Sequence, residues 1–493
     1  MKVNDLRSAL ELLKTIPGQY LETDVEVDIQ AELSGVYRRV GAGGTVKRPT
    51  RKGPAMVFNK IRGWPDARVA IGLMASRERV GYLFDTPPDR LGFLLRDSVN
   101  NPINPVVVGP EKALCQEVVY KAGDAGFDIR RLVPAPTTTP EDAGPYITLG
   151  MCYASNPETG EGDVTIHRMC LHGKDEIAIF IQPGGARHIG LMWEKATALG
   201  KPLPISVSIG VDPAIEIASC FEPPVTPYGF NELSIAGSIR GQAVELVKCL
   251  TINECAIANA EYVIECELLP GQFVEENKIS GGKYAMPEFP GYNGPAFPQC
   301  GILKVKALTT RKNPIYQTCI GPSEEHVSMA GIPTEASILS MVERALPGRL
   351  LNCYSHSSGG GKYLAILQFK KMAPTDEGKQ RQAALLAFSA FPELKHVILV
   401  DEDVDVFDTN DVLWAMNTRF QGDLDIITIP GVRCHPLDPT QSPEYGYMRY
   451  PTTGISCKTI FDCTVPFHQK DRFERAKFME VDPAKWAPEL FGK

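Results

Sequence analysis

The stretch Asp163-Val-Thr-Ile-His-Arg168 is the most informative part of this 493-residue chain. Asp163 offers a carboxylate, and Arg168 offers a planar guanidinium that can hold a carboxylate through two parallel hydrogen bonds. Further along, His188 adds an imidazole and Glu232 a second carboxylate. Ligands of these kinds hold Mn²⁺ or Mg²⁺ beside a phosphate. The stretch therefore indicates an enzyme that acts on a small acid with a phosphorylated cofactor.

Each of these residues also has an ordinary structural explanation when it is taken alone. A single histidine such as His188 is more often a hydrogen-bonded core residue than a metal ligand. Glu232 alone is typical of a solvated residue at the start of a helix, and Asp163 alone is no more specific. Only their occurrence together in one region, with Arg168 close by, favours a metal site.

The composition is that of a soluble globular protein with more than one domain. Hydrophobic residues make up 43% of the chain and charged residues 22%. The net charge of −8 argues against nucleic acid and anionic membranes as partners, since both require a basic surface. No apolar run is long enough to span a membrane. An odd number of 13 cysteines and no secretion signal predict a reducing, cytoplasmic location.

The patterns along the chain predict an α/β multidomain protein with three domains. Residues 1–115 open with a helical pattern and continue with strand-like runs, which predicts an N-terminal α/β domain. Residues 116–310 carry short apolar or alternating runs bounded by Gly, Pro and Asp, which are typical of a barrel or sandwich. Residues 311–493 alternate strand and helix, which predicts a parallel α/β domain, and we expect the tail after Pro466 to form a docking helix.

The run Gly359-Gly-Gly-Lys362 has the appearance of a phosphate-binding loop. Such a loop requires Ser or Thr after the lysine and a glycine five positions before the Gly-Lys pair. Tyr363 and His356 occupy those two positions. The sequence therefore favours a turn that precedes a strand.

The run Ala285-Met-Pro-Glu-Phe-Pro-Gly-Tyr292 holds Glu288 between two prolines, which restrict the backbone on both sides. A carboxylic acid that delivers a proton to carbon needs such positioning, but a rigid surface turn explains the same pattern. The cluster Gly321-Pro-Ser-Glu-Glu-His326 also has two interpretations, which are recognition of phenolic hydroxyls and helix capping.

Together these motifs resemble the UbiD-type decarboxylases, which use prenylated flavin mononucleotide, over nearly the full length of the chain. The similarity is strongest to the branch of bacterial 3,4-dihydroxybenzoate (protocatechuate) and gallate decarboxylases. The matching motifs outside Asp163–Arg168 are Glu22-Thr-Asp24, Gly41-Ala-Gly-Gly-Thr-Val46, Arg187-His-Ile189, Asn231-Glu232, Ala285–Tyr292, Gly321–His326, Val400-Asp-Glu-Asp-Val-Asp405 and Lys458-Thr-Ile-Phe-Asp-Cys-Thr-Val-Pro466. Motifs of this length in the same order do not arise readily by chance.

The resemblance implies that the central domain is a split-barrel flavin-binding domain with prenylated FMN and Mn²⁺ or Mg²⁺, and K⁺ is a further candidate ion. The implied metal ligands are Asp163, His188 and Glu232. The residues implied around the cofactor are Thr165, Ile166, His167, Arg168, Arg187, His188, Glu232 and Lys379. Glu288 is implied as the proton donor, Arg168 as the group that orients the substrate carboxylate, and His326 as a third catalytic residue.

One position departs from the pattern of the family. Many members carry a second glutamate five residues before the proton donor, and here that position holds Lys283. We therefore expect the acid–arginine–acid network to be incomplete in its usual form, with other side chains, His326 among them, as candidates to compensate.

The implied activity is non-oxidative, reversible decarboxylation of a hydroxylated benzoic acid, from gallate to pyrogallol or from 3,4-dihydroxybenzoate to catechol, through a covalent prenylated-flavin adduct. A cofactor is needed because loss of CO₂ leaves charge on a ring carbon that protein side chains cannot accept. The implied partners are a small phenolic acid, a flavin prenyltransferase as cofactor supplier, and further copies in a homodimer or homohexamer. The alternatives are a decarboxylase of 4-hydroxybenzoate, vanillate or a heteroaromatic acid, and a flavin-binding module without decarboxylase activity.

Overall fold

The computed structural model describes residues 2–42, 53–181, 187–441 and 454–491. Residues 43–46 of the motif that starts at Gly41 lie outside these ranges. The described residues form a multidomain α/β protein with a curled central sheet, as the sequence predicts. None of their helices combines the length and the apolar character that crossing a bilayer requires. All thirteen cysteines lie in the described ranges and are unpaired.

The α-helices of the described residues are α1 Leu6–Lys14, α2 Glu32–Val40, α3 Arg77–Phe84, α4 Leu91–Asn100, α5 Ile129–Leu132, α6 His188–Ala198, α7 Pro213–Ala218, α8 Leu233–Arg240, α9 Glu324–Ala345, α10 Lys379–Ala390, α11 Thr409–Arg419 and α12 Pro488–Phe491. The strands are β1 Tyr20–Thr23, β2 Ala55–Phe58, β3 Arg68–Ile71, β4 Val106–Val107, β5 Val118–Lys121, β6 Tyr146–Ile147, β7 Met151–Ser155, β8 Gly162–Ile166, β9 Met169–Leu171, β10 Glu176–Ile179, β11 Leu203–Ile209, β12 Glu245–Lys248, β13 Cys255–Ile257, β14 Tyr262–Val274, β15 Tyr284–Pro287, β16 Asn293–Pro295, β17 Cys300–Thr310, β18 Ile315–Thr318, β19 Leu350–Ser355, β20 Leu364–Phe369, β21 His396–Val400, β22 Ile426–Arg433 and β23 Ile455–Cys463.

The N-terminal sheet has four strands in the order β1-β2-β3-β18. Its last strand comes from residues 315–318, which follow the central sheet in sequence and pair in parallel with β3. Helix α1 buries Leu6, Ala9, Leu10 and Leu13, and this helical spacing puts one apolar face on the core. The sheet therefore ties the start of the chain to the residues immediately before α9.

The central sheet has nine strands, with the order β6-β9-β10-β17-β14-β11-β7-β8 and with β5 paired to β17. All its described pairings are antiparallel. The long β14–β17 pair contains two register shifts, and bulges of this kind bend strands and increase their twist. The sheet curls into a half-barrel, and β8 at its edge carries the first residues of the predicted site.

The C-terminal sheet has the order β19-β20-β21-β23-β22, with parallel pairing at its centre and antiparallel pairing at its edges. Helices α9, α10 and α11 pack against it. Strand β21 is almost wholly buried, as expected for the middle of a parallel sheet. The turn predicted at 359–362 is confirmed, since Gly360 and Gly361 have φ values of 66° and 75° just before β20.

The tail after Pro466 forms short 3₁₀ segments at Phe467–Phe473 and Pro483–Lys485 before α12. Its first part is held to the acidic loop after β21, because Lys470 pairs with Glu402 at 2.8 Å and Arg475 pairs with Asp403 at 3.0 Å. The docking of a tail helix on a neighbouring element stays a prediction.

Candidate active site

A cleft of about 800 Å³ lies where the central sheet, the β15–β16 hairpin and the C-terminal half of the chain meet. This volume is in the usual range for a site that binds an organic cofactor or a small ligand. A smaller cavity of about 340 Å³ beside Trp64 contains none of the predicted site residues. The larger cleft is therefore the candidate active site.

Three different elements bring Asp163, His188 and Glu232 together. Asp163 lies on β8, His188 is the first residue of α6, and Glu232 immediately precedes α8. One ligand atom from each lies within 4.8 Å of the others, and all three side chains are buried. His188 Nδ1 is 3.1 Å from Asp163 Oδ1 and 4.0 Å from Glu232 Oε1. The cluster that the sequence predicts is thus present as a compact group.

This cluster fits a divalent cation on its own chemistry. His188 Nε2 and Glu232 Oε2 are buried with no hydrogen-bond partner among the described residues. Burial and the nearby Asp163 carboxylate raise the pKa of Glu232 well above its usual value. A bound cation would neutralise both carboxylates and use the unpaired atoms. Two carboxylates and one imidazole suit Mn²⁺ or Mg²⁺.

Arg168, between β8 and β9, is held by two glutamates. Its Nε and Nη2 each donate to Glu276 at 2.8 Å, and Nη1 donates to Glu288 Oε1. The rings of Phe180 and Phe297 flank it, with centroids 5.0 and 5.3 Å from Cζ. Burial disfavours the charge, but the two carboxylates outweigh it and raise the pKa of Arg168. The guanidinium is therefore charged and fixed in orientation.

The acid–arginine–acid network lacks the second acid at its usual position, as expected, but a glutamate elsewhere in the chain, and not His326, completes it. Lys283 does stand five residues before Glu288, but the second acid is Glu276, just after β14. Glu276 is almost fully buried and also accepts hydrogen bonds from Tyr146 Oη at 3.1 Å and from Phe297 N at 3.0 Å. Glu276 and Glu288 both contact Arg168 although they are not five residues apart, because the segment between β14 and β15 brings its two ends to the same guanidinium.

Glu288 lies in the tight turn between β15 and β16. The turn is closed by hydrogen bonds from Glu288 N to Tyr292 O and from Gly291 N to Glu288 O, both at 2.9 Å. The carboxyl lines the cleft, with 19% of the side chain exposed. Burial raises its pKa although Arg168 beside it acts in the opposite direction. A carboxyl that keeps its proton to higher pH is suited to donating that proton.

Most of the other predicted cofactor residues lie at the same cleft. Ile166, His167, Arg168 and Arg187 line it, whereas Thr165 is buried behind it on β8. His167 Nδ1 lies 3.0 Å from Phe180 O. Burial and the charge of Arg187 lower the pKa of His167 to about 4. This imidazole is therefore neutral at physiological pH.

The prediction of Lys379 as a cofactor residue is not supported, since the structure places it elsewhere. At the start of α10 its ammonium pairs with Asp376 at 2.8 Å, outside the residues that line the cleft. Among the described residues that line the cleft, the lysine is Lys362, and its Nζ lies 3.1 Å from Glu393 Oε2. The glycine-rich turn delivers Lys362 to the cleft, a role that the turn interpretation of residues 359–362 did not include.

A second group of polar residues lines the cleft. His326, in the first turn of α9, lines the cleft as predicted. His435 Nε2 lies 3.4 Å from Glu393 Oε2, and Glu222 pairs with Arg187 at 2.6 Å. The sequence does not identify His435, Glu393, Glu222 and Lys362 as site residues, because they lie in separate loops and no motif spacing marks them as neighbours.

Comparison with known proteins agrees with this geometry. Domains of 3-octaprenyl-4-hydroxybenzoate carboxy-lyase match residues 12–98 (N-terminal domain), 106–324 (Rift-related domain) and 327–463 (C-terminal domain). Over 482 residues, 98% of each chain, the sequence is 56% identical to gallate decarboxylase of Lactiplantibacillus plantarum.

Two solved structures are similar over almost the whole chain. The apo 3,4-dihydroxybenzoic acid decarboxylase from Enterobacter cloacae matches 100% of both chains, with a TM-score of 0.93 and 56% identity. An evolved dimeric form of the UbiD-class enzyme HmfF from Pelotomaculum thermopropionicum, in complex with prFMN, has a TM-score of 0.81 and 30% identity over 98% of this chain and 100% of that one. The shared domains, the full-length identity and the structural match together show that this chain belongs to the UbiD family of carboxy-lyases.

Proposed function

We propose that this protein catalyses the non-oxidative, reversible decarboxylation of a hydroxylated benzoic acid, from gallate to pyrogallol and from 3,4-dihydroxybenzoate to catechol, with prenylated FMN as its cofactor. The observation that carries the proposal is the hydrogen-bonded network of Glu276, Arg168 and Glu288, in which Arg168 and Glu288 line the cleft. This network supplies a fixed cation for the substrate carboxylate and a proton donor beside it. The gallate and 3,4-dihydroxybenzoic acid decarboxylases among its relatives support the choice of substrates.

Each part of the cleft has a role in this proposal. Asp163, His188 and Glu232 would hold Mn²⁺ or Mg²⁺ against the cofactor phosphate. When bound, prenylated FMN supplies the electron sink for the charge left on the ring carbon as CO₂ departs. When Glu288 is protonated, it no longer neutralises Arg168 Nη1, so the guanidinium can hold the substrate carboxylate. The Glu288 carboxyl then gives its proton to the ring carbon that has lost CO₂.

This second group of polar residues explains a preference for phenolic acids. Lys362 can donate hydrogen bonds to ring hydroxyls, and His326 and His435 lie beside it in the cleft. Burial and the charge of Lys362 lower the pKa of His435 well below its usual value, so this imidazole is neutral. Its Nδ1 accepts a hydrogen bond from Leu437 N at 3.1 Å, so Nε2 carries the proton and acts as a donor. A wall of buried polar groups rejects acids that lack the hydroxyls, because those groups would then stay unpaired.

The direct test is to produce the chain together with a flavin prenyltransferase and to analyse the products from a panel of acids. We expect pyrogallol from gallate and catechol from 3,4-dihydroxybenzoate, with less product from 4-hydroxybenzoate, vanillate and unsubstituted benzoate. Turnover of only one of the latter acids would replace the substrate assignment. A flavin-loaded protein that releases no CO₂ from any acid would instead indicate a flavin-binding module.

The metal assignment predicts that His188→Ala removes both the ion and most of the flavin. Changes at residues that merely support metal ligands typically lower affinity by about 10–100-fold, so loss of a ligand should exceed about 100-fold. Metal analysis and the flavin absorbance of the purified protein measure the effect. His468→Ala, which changes an exposed histidine, is the matched control and should keep both. A His188→Ala protein with full metal content would exclude the cluster as the site.

A further inference from the structure

Phe289 directly follows the proposed proton donor, and its buried ring packs among residues of the C-terminal half. The ring lies parallel to His326, with centroids 5.4 Å apart and an interplanar angle of 3°. It meets Tyr363 edge-on at 5.0 Å and His435 edge-on at 4.7 Å. One side chain of the β15–β16 hairpin thus contacts two of the histidines that line the cleft.

The same ring packs on Gly360 in the glycine-rich turn. Gly360 has a φ of 66°, and a Cβ at this position would overlap Phe289 Cδ2. The neighbouring Gly361 is confined from the other side, since a Cβ there would lie 2.7 Å from Val327 O on α9. The turn is therefore packed between the Phe289 ring and α9, and both contacts require glycine. These contacts explain why residues 360 and 361 are glycines, although the run does not match a phosphate-binding loop.

The contact links the two walls of the cleft. Glu288 precedes the ring in sequence, and Lys362 follows Gly360 by two residues, with Nζ 5.8 Å from the Phe289 centroid. A shift of the ring would change the separation between the proton donor on one wall and the hydroxyl-facing groups on the other. A displacement of about 1 Å at a reacting group can cost about 100-fold in rate.

We propose that Phe289 is a positioning residue: packed on Gly360, it fixes the Glu288 carboxyl relative to the wall of Lys362, His326 and His435. A substrate bound by its hydroxyls on that wall then presents its ring carbon to the Glu288 proton. This inference rests on the proposed function, because it assumes that Glu288 donates the proton. A purely structural role for Phe289 would instead predict losses of stability and flavin without a specific change in the proton-transfer step.

The test is a double-mutant cycle of Gly360→Ala and Phe289→Ala in flavin-loaded enzyme. Contacting residues are typically coupled by about 2- to 150-fold, and we expect Gly360→Ala to lower kcat by about 10-fold or more in the wild-type background. In the Phe289→Ala background, where the overlapping ring is absent, the same change should lower kcat by no more than about 3-fold. Gly348→Ala is the matched control, since Gly348 has a φ of 69° with nothing within 4 Å of an added Cβ. It introduces the same backbone strain without the contact and should leave kcat near wild type.

The solvent deuterium isotope effect on kcat separates positioning from packing. We expect it to rise in Gly360→Ala and in Phe289→Ala, because a displaced Glu288 makes proton transfer slower, while KM and flavin content change little. Tm should fall in Phe289→Ala, since removal of a buried aromatic ring is destabilising. The inference would be overturned if the effects of the two changes on kcat were additive, or if the loss of kcat simply followed the loss of flavin. If Gly360→Ala does not fold, Phe289→Leu keeps the apolar volume and should show the same isotope effect, and unchanged kcat in that variant would also overturn it. Wild-type enzyme that is inactive on all hydroxybenzoates would reject the proposed function itself, whereas additivity in active enzyme rejects only this inference.

Discussion

Glu288→Gln should lower kcat by about 10²–10⁴-fold, the usual contribution of a correctly placed general acid. Glutamine has nearly the same shape and can still accept a hydrogen bond from Arg168 Nη1, so the fold and the flavin content should persist. The amide cannot give up a proton to the ring carbon, and the product would have to take its proton from water. The comparison is kcat of flavin-loaded variant and wild-type enzyme with gallate or 3,4-dihydroxybenzoate.

The control for this change is Glu111→Gln, which removes an exposed carboxylate outside the cleft. Its kcat should equal that of the wild type. Near wild-type turnover in flavin-loaded Glu288→Gln enzyme would remove Glu288 from the role of proton donor. Loss of flavin together with activity would show that the glutamate acts in cofactor binding.

The sequence predicts well those features that depend on local pattern. The apolar spacing of α1 and the apolar run Val397–Val400 of β21 are enough to identify a helix and a buried strand, because amphipathicity and burial follow from a few neighbouring residues. The metal cluster is also predictable, since Asp163, His188 and Glu232 each occur in a motif that the family resemblance identifies. The structure brings these three side chains together, so this part of the site agrees with the prediction.

The features that the sequence does not predict are contacts between distant segments. Glu276, just past the end of β14, binds Arg168 although 108 positions separate the two in sequence, and fixed spacing from Glu288 gives the wrong residue, Lys283. Lys362 was missed in favour of Lys379 for the same reason. Motif spacing describes one segment at a time, whereas the cleft is built where three parts of the chain meet.

The corrected network leads to the second large prediction, for Glu276→Gln. Glutamine keeps the shape of the side chain but removes the negative charge that binds Arg168 through two hydrogen bonds. Arg168 is then neutralised by Glu288 alone, which displaces the guanidinium toward the proton donor. We expect kcat to fall by about 10²-fold at neutral pH, the cost of misplacing a reacting group by about 1 Å. Glu275→Gln changes the exposed neighbouring glutamate and should leave kcat unchanged.

The pH profile identifies the cause of this loss. Burial raises the pKa of Glu288, Arg168 lowers it, and the charge of Glu276 raises it. A proton donor works below its pKa, so kcat should fall as pH rises through the pKa of Glu288. When the charge of Glu276 is removed, Arg168 lowers the pKa of Glu288 further. The fall in kcat should therefore begin at lower pH than in the wild type. Part of the lost rate should therefore return on acidification, and a profile that keeps the wild-type position would mean that Glu276 supports the fold without tuning the proton donor.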